Sequence, residues 1–207
     1  MSHRLSPPRR KDAIATRARL VRAALELFTT DGYRGTTTLD IAAKAGTAEA
    51  TIYRHFTGKE ALFNEAYREG LRFGIAVIRE HTAERGVRCR ERLGGIGKGL
   101  IQRAARDPAV VAILLHRLSQ ATLDEASLTL SREFRDLLGQ VMAGGKQEGT
   151  IRAGSAELWS AVWLALVTFA ADRVAARDWS SDHPSVAQTL DAAWDAITYR
   201  AEASSPG

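Results

Sequence analysis

Cysteine occurs once in the 207 residues, at Cys89, so no internal disulfide can form and a reducing compartment is expected. Long apolar runs are missing. The longest, residues 161–171, is interrupted by Thr168 and falls well short of the ~20 apolar residues that span a bilayer. It reads as a buried core or interface helix, and no membrane partner is expected. The first eleven residues are polar and basic with no apolar segment behind them, so a secretory signal is not expected and the cytoplasm is the anticipated location. The five histidines are scattered. Glu80, His81 and Glu84 share one helical turn, but no second cluster completes a metal site. A nucleophile elbow, a P-loop and a dinucleotide glycine pattern are all absent. No catalytic residue, metal or cofactor is expected. Alternating strand-like patterns, repeats and low complexity are missing too, which leaves an all-α fold.

What is present is an uneven charge. Residues 1–60 hold eleven Lys/Arg against six Asp/Glu, whereas the other 147 residues carry eighteen of each. All of the net charge of +5 therefore sits in the first third. A basic segment on a neutral body is the electrostatic footprint of a polyanion binder, although a merely solvated basic tail gives the same count.

Residues 1–11, with Pro7-Pro8 and Arg9-Arg10-Lys11, read as a flexible basic arm. Ile14, Ala18, Val21, Leu25 and Phe28 then recur in steps of four and three, one stripe of a helix that Asp31-Gly32 ends. Thr37 with Asp40 forms a capping box for a short helix whose buried face is Leu39, Ile41, Ala42 and Ala45, closed by Ala45-Gly46. A second short helix follows at about 48–55, with Ile52 and Phe56 inward. Thr57 and Glu60 propose another capping box, opening a long helix. Further helices are expected over 90–105, 108–124, 128–148, 156–177 and 184–203, with Pro108 and Pro184 in first turns. Domain boundaries follow: an arm over 1–11, a DNA-binding module over 12–60 and a helical domain over 61–207.

Three helices, the last two short and joined through a glycine, outline a helix-turn-helix. A major groove about 12 Å wide admits one such helix. The run Gly32-Tyr33-Arg34-Gly35-Thr36-Thr37-Thr38-Leu39-Asp40-Ile41-Ala42-Ala43-Lys44-Ala45-Gly46, followed by Ala50-Thr51-Ile52-Tyr53-Arg54-His55-Phe56-Thr57-Gly58-Lys59-Glu60-Ala61-Leu62, closely resembles the signature of the TetR family of transcriptional regulators. The resemblance implies a dimeric repressor of double-stranded DNA. It places Thr37, Tyr53, His55 and Lys59 at phosphates, and Ala48, Glu49, Ala50, Thr51 and Arg54 in the groove or on its rim. Arg54 is the candidate for reading guanine, Thr51 for a thymine methyl or a phosphate, and Glu49 for cytosine N4. Arg9 and Arg10 add arm contacts. Packing roles remain the alternatives for Tyr53 and His55. The chain departs from the family at Thr47-Ala48-Glu49-Ala50, where alanine cannot cap: either Thr47 caps one residue early or the cap is lost, at a cost of ~1 kcal/mol.

For the remainder, the resemblance implies an effector-binding and dimerisation domain. The helix expected over 156–177 is apolar on several sides, with Leu158, Val162, Leu166 and Phe169 along one line and Trp163, Val167 and Val174 around it, so several neighbours must bury it. Trp159, Leu166, Leu190, Trp194 and Ile197 are the candidate homodimer interface, and Phe73, His116, Gln120, Phe134 and Trp163 the candidate lining of a site for a small-molecule effector. Cys89, among Arg88, Arg90 and Arg92, is a candidate oxidant sensor on charge alone.

Overall fold

Residues 10–115 and 123–199 are described by the computed structural model, Arg10 by its backbone only. Among them the chain is helical throughout apart from turns and one bridge between Ile151 and Thr198. It divides into two compact units, one of Met1–Glu69 with Ser119–Ser127 and one of Gly70–Leu118 with Leu128–Gly207.

The first unit is built on α1 (Arg10–Thr30). Burial begins at Leu20 and continues through Val21, Ala24, Leu25 and Phe28. Ile14, on the same stripe, is 62% exposed and Ala18 is exposed as well, so the expected stripe is buried only in its second half. Gly32, with φ of +75°, turns the chain into the single-turn α2 (Gly32–Gly35), a conformation that suits glycine. Next come α3 (Thr38–Lys44) and α4 (Glu49–His55). The long α5 (Lys59–Thr82) starts here. Its Leu62 N–H bonds to the Gly58 carbonyl, so the expected box at Thr57 lies one residue early. Leu20, Leu25, Ile41, Ile52 and Leu62 are wholly buried, and the rings of Phe28, Tyr33 and Phe63 meet at 5.0–5.6 Å. Each large apolar side chain removed from water in this way contributes roughly 1.5–3 kcal/mol. The segment Asp124–Ser127 joins the same unit: its Asp124 N–H donates to the Asn64 side chain at 2.9 Å, and its carboxylate receives Arg68 at 2.8 Å.

The second unit holds α6 (Cys89–Arg106), α7 (Pro108–Leu115), α8 (Glu125–Gln147, from Leu128 onward), α9 (Ala156–Ala175) and α10 (Pro184–Ile197). Its centre is Trp163, packed with Val167 on one side of α9. Gly97 of α6 is what admits them: a Cβ there would meet Leu190 Cδ2 at 2.6 Å and Trp163 Cζ2 at 3.3 Å. By length and composition α9 would pass for a membrane span. Here it packs on α6, α7 and α10 through Ser160, Trp163, Val167, Ala170, Ala171 and Val174. Helix α10 stops at Ile197, short of the expected 203, because Thr198 turns extended and bridges Ile151.

Candidate nucleic-acid interface

Helix α3 starts from Thr37, where the expected capping box is complete. Its hydroxyl accepts the Asp40 N–H at 3.1 Å, and the Asp40 carboxylate accepts the Thr37 N–H at 3.0 Å and the Thr37 hydroxyl at 2.5 Å. These hydrogen bonds hold the Asp40 carboxyl below the usual carboxylate range. The hydroxyl proton of Thr37 is therefore already committed, beside a negative charge, and a phosphate contact there has only backbone N–H groups to draw on. The neighbouring threonines are used in the same way. Thr36, buried, donates to the Gly32 carbonyl at 2.8 Å, and Thr38 donates to the Glu49 carboxylate at 2.5 Å.

That last bond engages one oxygen of Glu49, which stands in the first turn of α4 with its carboxylate turned toward Thr38 of α3. Helix α4 itself begins at Ala48 without a side-chain cap, while Thr47 donates to the Thr51 hydroxyl at 2.9 Å. Of the two expected possibilities, the cap is lost.

What fixes α4 is apolar. Ile52 is wholly buried and Phe56 nearly so, with Arg17 over the Phe56 ring at 4.9 Å. Ala50 and Arg54, four residues apart, share the side of the helix opposite Ile52. Both are exposed, Tyr53 beside them is 58% exposed, and Thr51 and His55 flank this face half-buried. Ala48, exposed, extends it toward the turn. Arg54 enters no ion pair with any described residue, and nor does the exposed Arg34. The other cations nearby are engaged: Lys44 and Arg22 hold Glu26 at 3.0 and 2.6 Å, and Arg17 holds Glu65 at 2.7 Å. The result is a small-residue face with an uncompensated guanidinium and a phenol at its edge, shaped to approach a polyanion closely.

Lys59, expected at a phosphate, also makes contacts within the fold. Its ammonium donates to the carbonyls of Tyr33 and Thr36, both at 2.9 Å, and lies 4.3 Å over the Tyr33 ring. It ties the start of α5 to the C-terminal side of α2, where a cation meets the unsatisfied carbonyls of a helix end. Arg9 and the side chain of Arg10 lie outside the described residues. Leu39, expected in the core, is 61% exposed; it sits about 200° around α3 from Ile41, which is the buried side.

The residues expected to line an effector site are not gathered together. Phe73 borders a polar groove between α5 and α6 with His81, Lys98, Gln102 and Arg103. Phe134 borders a separate groove between α8 and α9. Trp163 is sealed in the core, and His116 and Gln120 lie outside the described residues. The expected dimer residues are corrected in part. Ile197 is wholly buried within the second unit and Trp194 nine-tenths buried, so neither has surface to offer a partner. Leu166 and Leu190 are half-buried, and Trp159, also half-buried, is spent on the Ala153 carbonyl and on Arg152. The apolar surface left open on α9 is Leu158 and Phe169, 50% and 47% exposed, with Ala161 and Ala165 between them. Cys89 is buried, with its thiol on the Val141 carbonyl at 3.5 Å; burial, with Glu148 nearby, pushes it up to about 11. That is the opposite of an activated thiolate.

Residues 20–66 match the family model described as bacterial regulatory proteins, tetR family. Over 140 residues the chain is 30% identical to the HTH-type transcriptional repressor KstR2 of Rhodococcus jostii (strain RHA1), a match covering 66% of this chain and 68% of that protein. It is 35% identical over 86 residues to the uncharacterized HTH-type transcriptional regulator YvkB of Bacillus subtilis (strain 168), spanning 42% of this chain and 40% of YvkB. Among solved structures, a TetR family transcription regulator from Marinobacter aquaeolei VT8 superimposes with a TM-score of 0.77 at 19% identity, covering 93% of this chain and all of that one; at that identity it speaks for the fold alone.

Proposed function

Since the chain belongs to the TetR family of bacterial transcriptional regulators, we propose that it acts in the cytoplasm as a homodimeric repressor that binds a palindromic operator and leaves it when a small-molecule effector binds. Residues 12–60, preceded by the basic arm, make the DNA contact; residues 61–207 bind the effector and the second copy. The observation that carries the reading is the outer face of α4, where Ala50, Tyr53 and Arg54 are exposed opposite the buried Ile52. Arg54 reads a base edge, Tyr53 and His55 meet phosphates, and two such helices enter successive major grooves roughly 34–36 Å apart.

Pairing runs through the open apolar line on α9, Leu158 to Phe169, together with α10; an unpartnered apolar helix face is what a second copy covers in a helical bundle. The effector shifts the equilibrium only by its difference in affinity between the DNA-bound and free conformers. The test is fluorescence anisotropy on DNA from upstream of the protein's own gene, across a salt series, against a scrambled control. Preferential binding with two protomers per site is expected. Equal, salt-sensitive binding to both fragments would refute an operator beside its own gene and move the target elsewhere. Phe169→Glu is expected to sediment as a folded monomer with operator affinity lost; an intact dimer would remove α9 from the interface.

A further inference from the structure

The groove between α8 and α9 has a volume of about 640 Å³, within the range of sites that hold drug-sized molecules. Its apolar lining includes Phe134, Leu138 and Leu164. Two features of it are not accounted for by the packing of the described residues, although Ala161 of its lining also lies on the α9 line proposed for pairing. Ser160, nine-tenths buried, lines the groove, and its hydroxyl finds no hydrogen-bond partner among the described residues. A hydroxyl left in that state is costly unless something else supplies the bond. Gly139, also in the lining, leaves bare backbone in the interior of α8: a Cβ there would meet no heavy atom within 4 Å. Glycine inside a helix weakens it and is commonly found where another molecule approaches the backbone closely. Gly145, six residues on, shows the contrast, since a Cβ there would meet Cys89 Sγ at 2.6 Å and Ile151 Cδ1 at 2.7 Å. Gly145 is required by the fold; Gly139 is not.

We propose that this groove is a small-molecule site, with the Gly139 backbone as one wall and the Ser160 hydroxyl as its polar anchor. Its occupant has an apolar body and one group that exchanges a hydrogen bond with Ser160. The charge around the rim selects further. Asp136 and Glu157 outnumber the one cation of the lining, Arg135. The site therefore favours an uncharged or cationic molecule over a carboxylate or phosphate. Its consequence at DNA rests on the effector-release reading above; the site itself does not.

The test uses the full-length protein and Nile red, an uncharged dye with a fused apolar ring system and one carbonyl. Saturable brightening is expected. Gly139→Leu, which fills the groove from open space, should weaken binding at least about tenfold, and Ser160→Ala should weaken it about fivefold, the worth of one neutral hydrogen bond. Neither variant should melt below the wild type, since one removes an unsatisfied hydroxyl and the other a helical glycine, and both should keep its sedimentation. The anionic dye anilinonaphthalene sulfonate should bind more weakly than Nile red, by at least about tenfold; the reverse order would overturn the charge assignment. Unchanged Nile red binding in Gly139→Leu, or none in the wild type, would overturn the site. So would a Gly139→Leu protein that becomes monomeric, since the groove would then be covered by the second copy. If Gly139→Leu lost its cooperative melt, Gly139→Ala and Ser160→Ala would carry the test, and unchanged binding in both would overturn the proposal. A dye that binds through Gly139 and Ser160 yet leaves operator affinity unaltered at saturation supports the site and refutes only effector release through it.

Discussion

The Thr38 hydroxyl donates to the Glu49 carboxylate at 2.5 Å, bracing the first turn of α3 against the first turn of α4. This strut accounts for an acidic residue at the start of the helix proposed to meet DNA: the carboxylate is turned toward α3, and it also complements the positive end of α4, which has no side-chain cap. Removing either partner leaves the other part-buried and unsatisfied. Thr38→Val and Glu49→Ala are each expected to cost about 1–2 kcal/mol of stability. The double variant should fall short of the sum by about 1 kcal/mol, the signature of a shared bond. Chemical denaturation of the four proteins checks it, and strict additivity would dissolve the strut.

Lys59 and Arg54 separate under the same kind of test. The ammonium of Lys59 holds two carbonyls at 2.9 Å, so Lys59→Met should destabilise the protein by about 1.5–3 kcal/mol, the worth of hydrogen bonds to a charged group. The slope of log affinity against log salt should change little, because no phosphate is given up. Arg54, exposed and in no ion pair with a described residue, should behave in the opposite way. Arg54→Ala is expected to leave stability within about 0.5 kcal/mol and to cost about 1–3 kcal/mol at the operator, with relaxed preference at one base pair. A Lys59→Met protein of wild-type stability and a flattened salt slope would return the lysine to the DNA backbone.

These side chains mark how far the sequence could be read. The capping box at Thr37 and Asp40, the glycine stop at Gly46 and the inward Ile52 were all legible, because each follows from local spacing. Leu39 was misplaced by hydrophobicity alone, although its phase relative to Ile41 points outward. Ile14 shows the other failure. Its phase is right, but periodicity does not say where along a helix its neighbours begin. Trp194 and Ile197 read as a partner face for a related reason, since an apolar stripe looks the same whether its own chain or a second copy buries it. Glu49, Lys59, Gly139 and Ser160 depend on contacts made 11 to 26 residues away or across two helices, which no local pattern encodes.

Cys89 gives a prediction about reactivity. Three arginines nearby in sequence favour a thiolate, yet the thiol is buried, donates to the Val141 carbonyl and is pushed up to about 11. Only the thiolate attacks disulfide reagents. At pH 8 the folded protein should react with dithionitrobenzoate far more slowly than free cysteine, and denaturant should release one fast equivalent. Rapid reaction of the native protein would reopen a sensing role for this residue.

Acid should loosen the first unit at Glu26 and Asp124, as well as at the Asp40 capping box described above. Burial alone would raise Glu26, but hydrogen bonds and charge from Lys44 and Arg22 outweigh it, and the net position is below the ordinary value. Asp124 behaves alike: burial raises it, while Arg68 and Ser127 bring it below the usual range. Both groups therefore hold protons less readily folded than unfolded, where carboxyls titrate near about 4. Their contribution is fully present above that pH and drains away as pH falls through the lower, folded values. The melting temperature is expected to hold between about pH 7 and 5 and to decline below about 4. Glu26→Gln, which cannot ionise, should be less stable near neutrality and show a shallower decline on the acid side. Thermal melts across pH of the two proteins decide it. Parallel acid limbs would mean that Glu26 takes no part in the acid transition and that its two ion pairs are surface ornament.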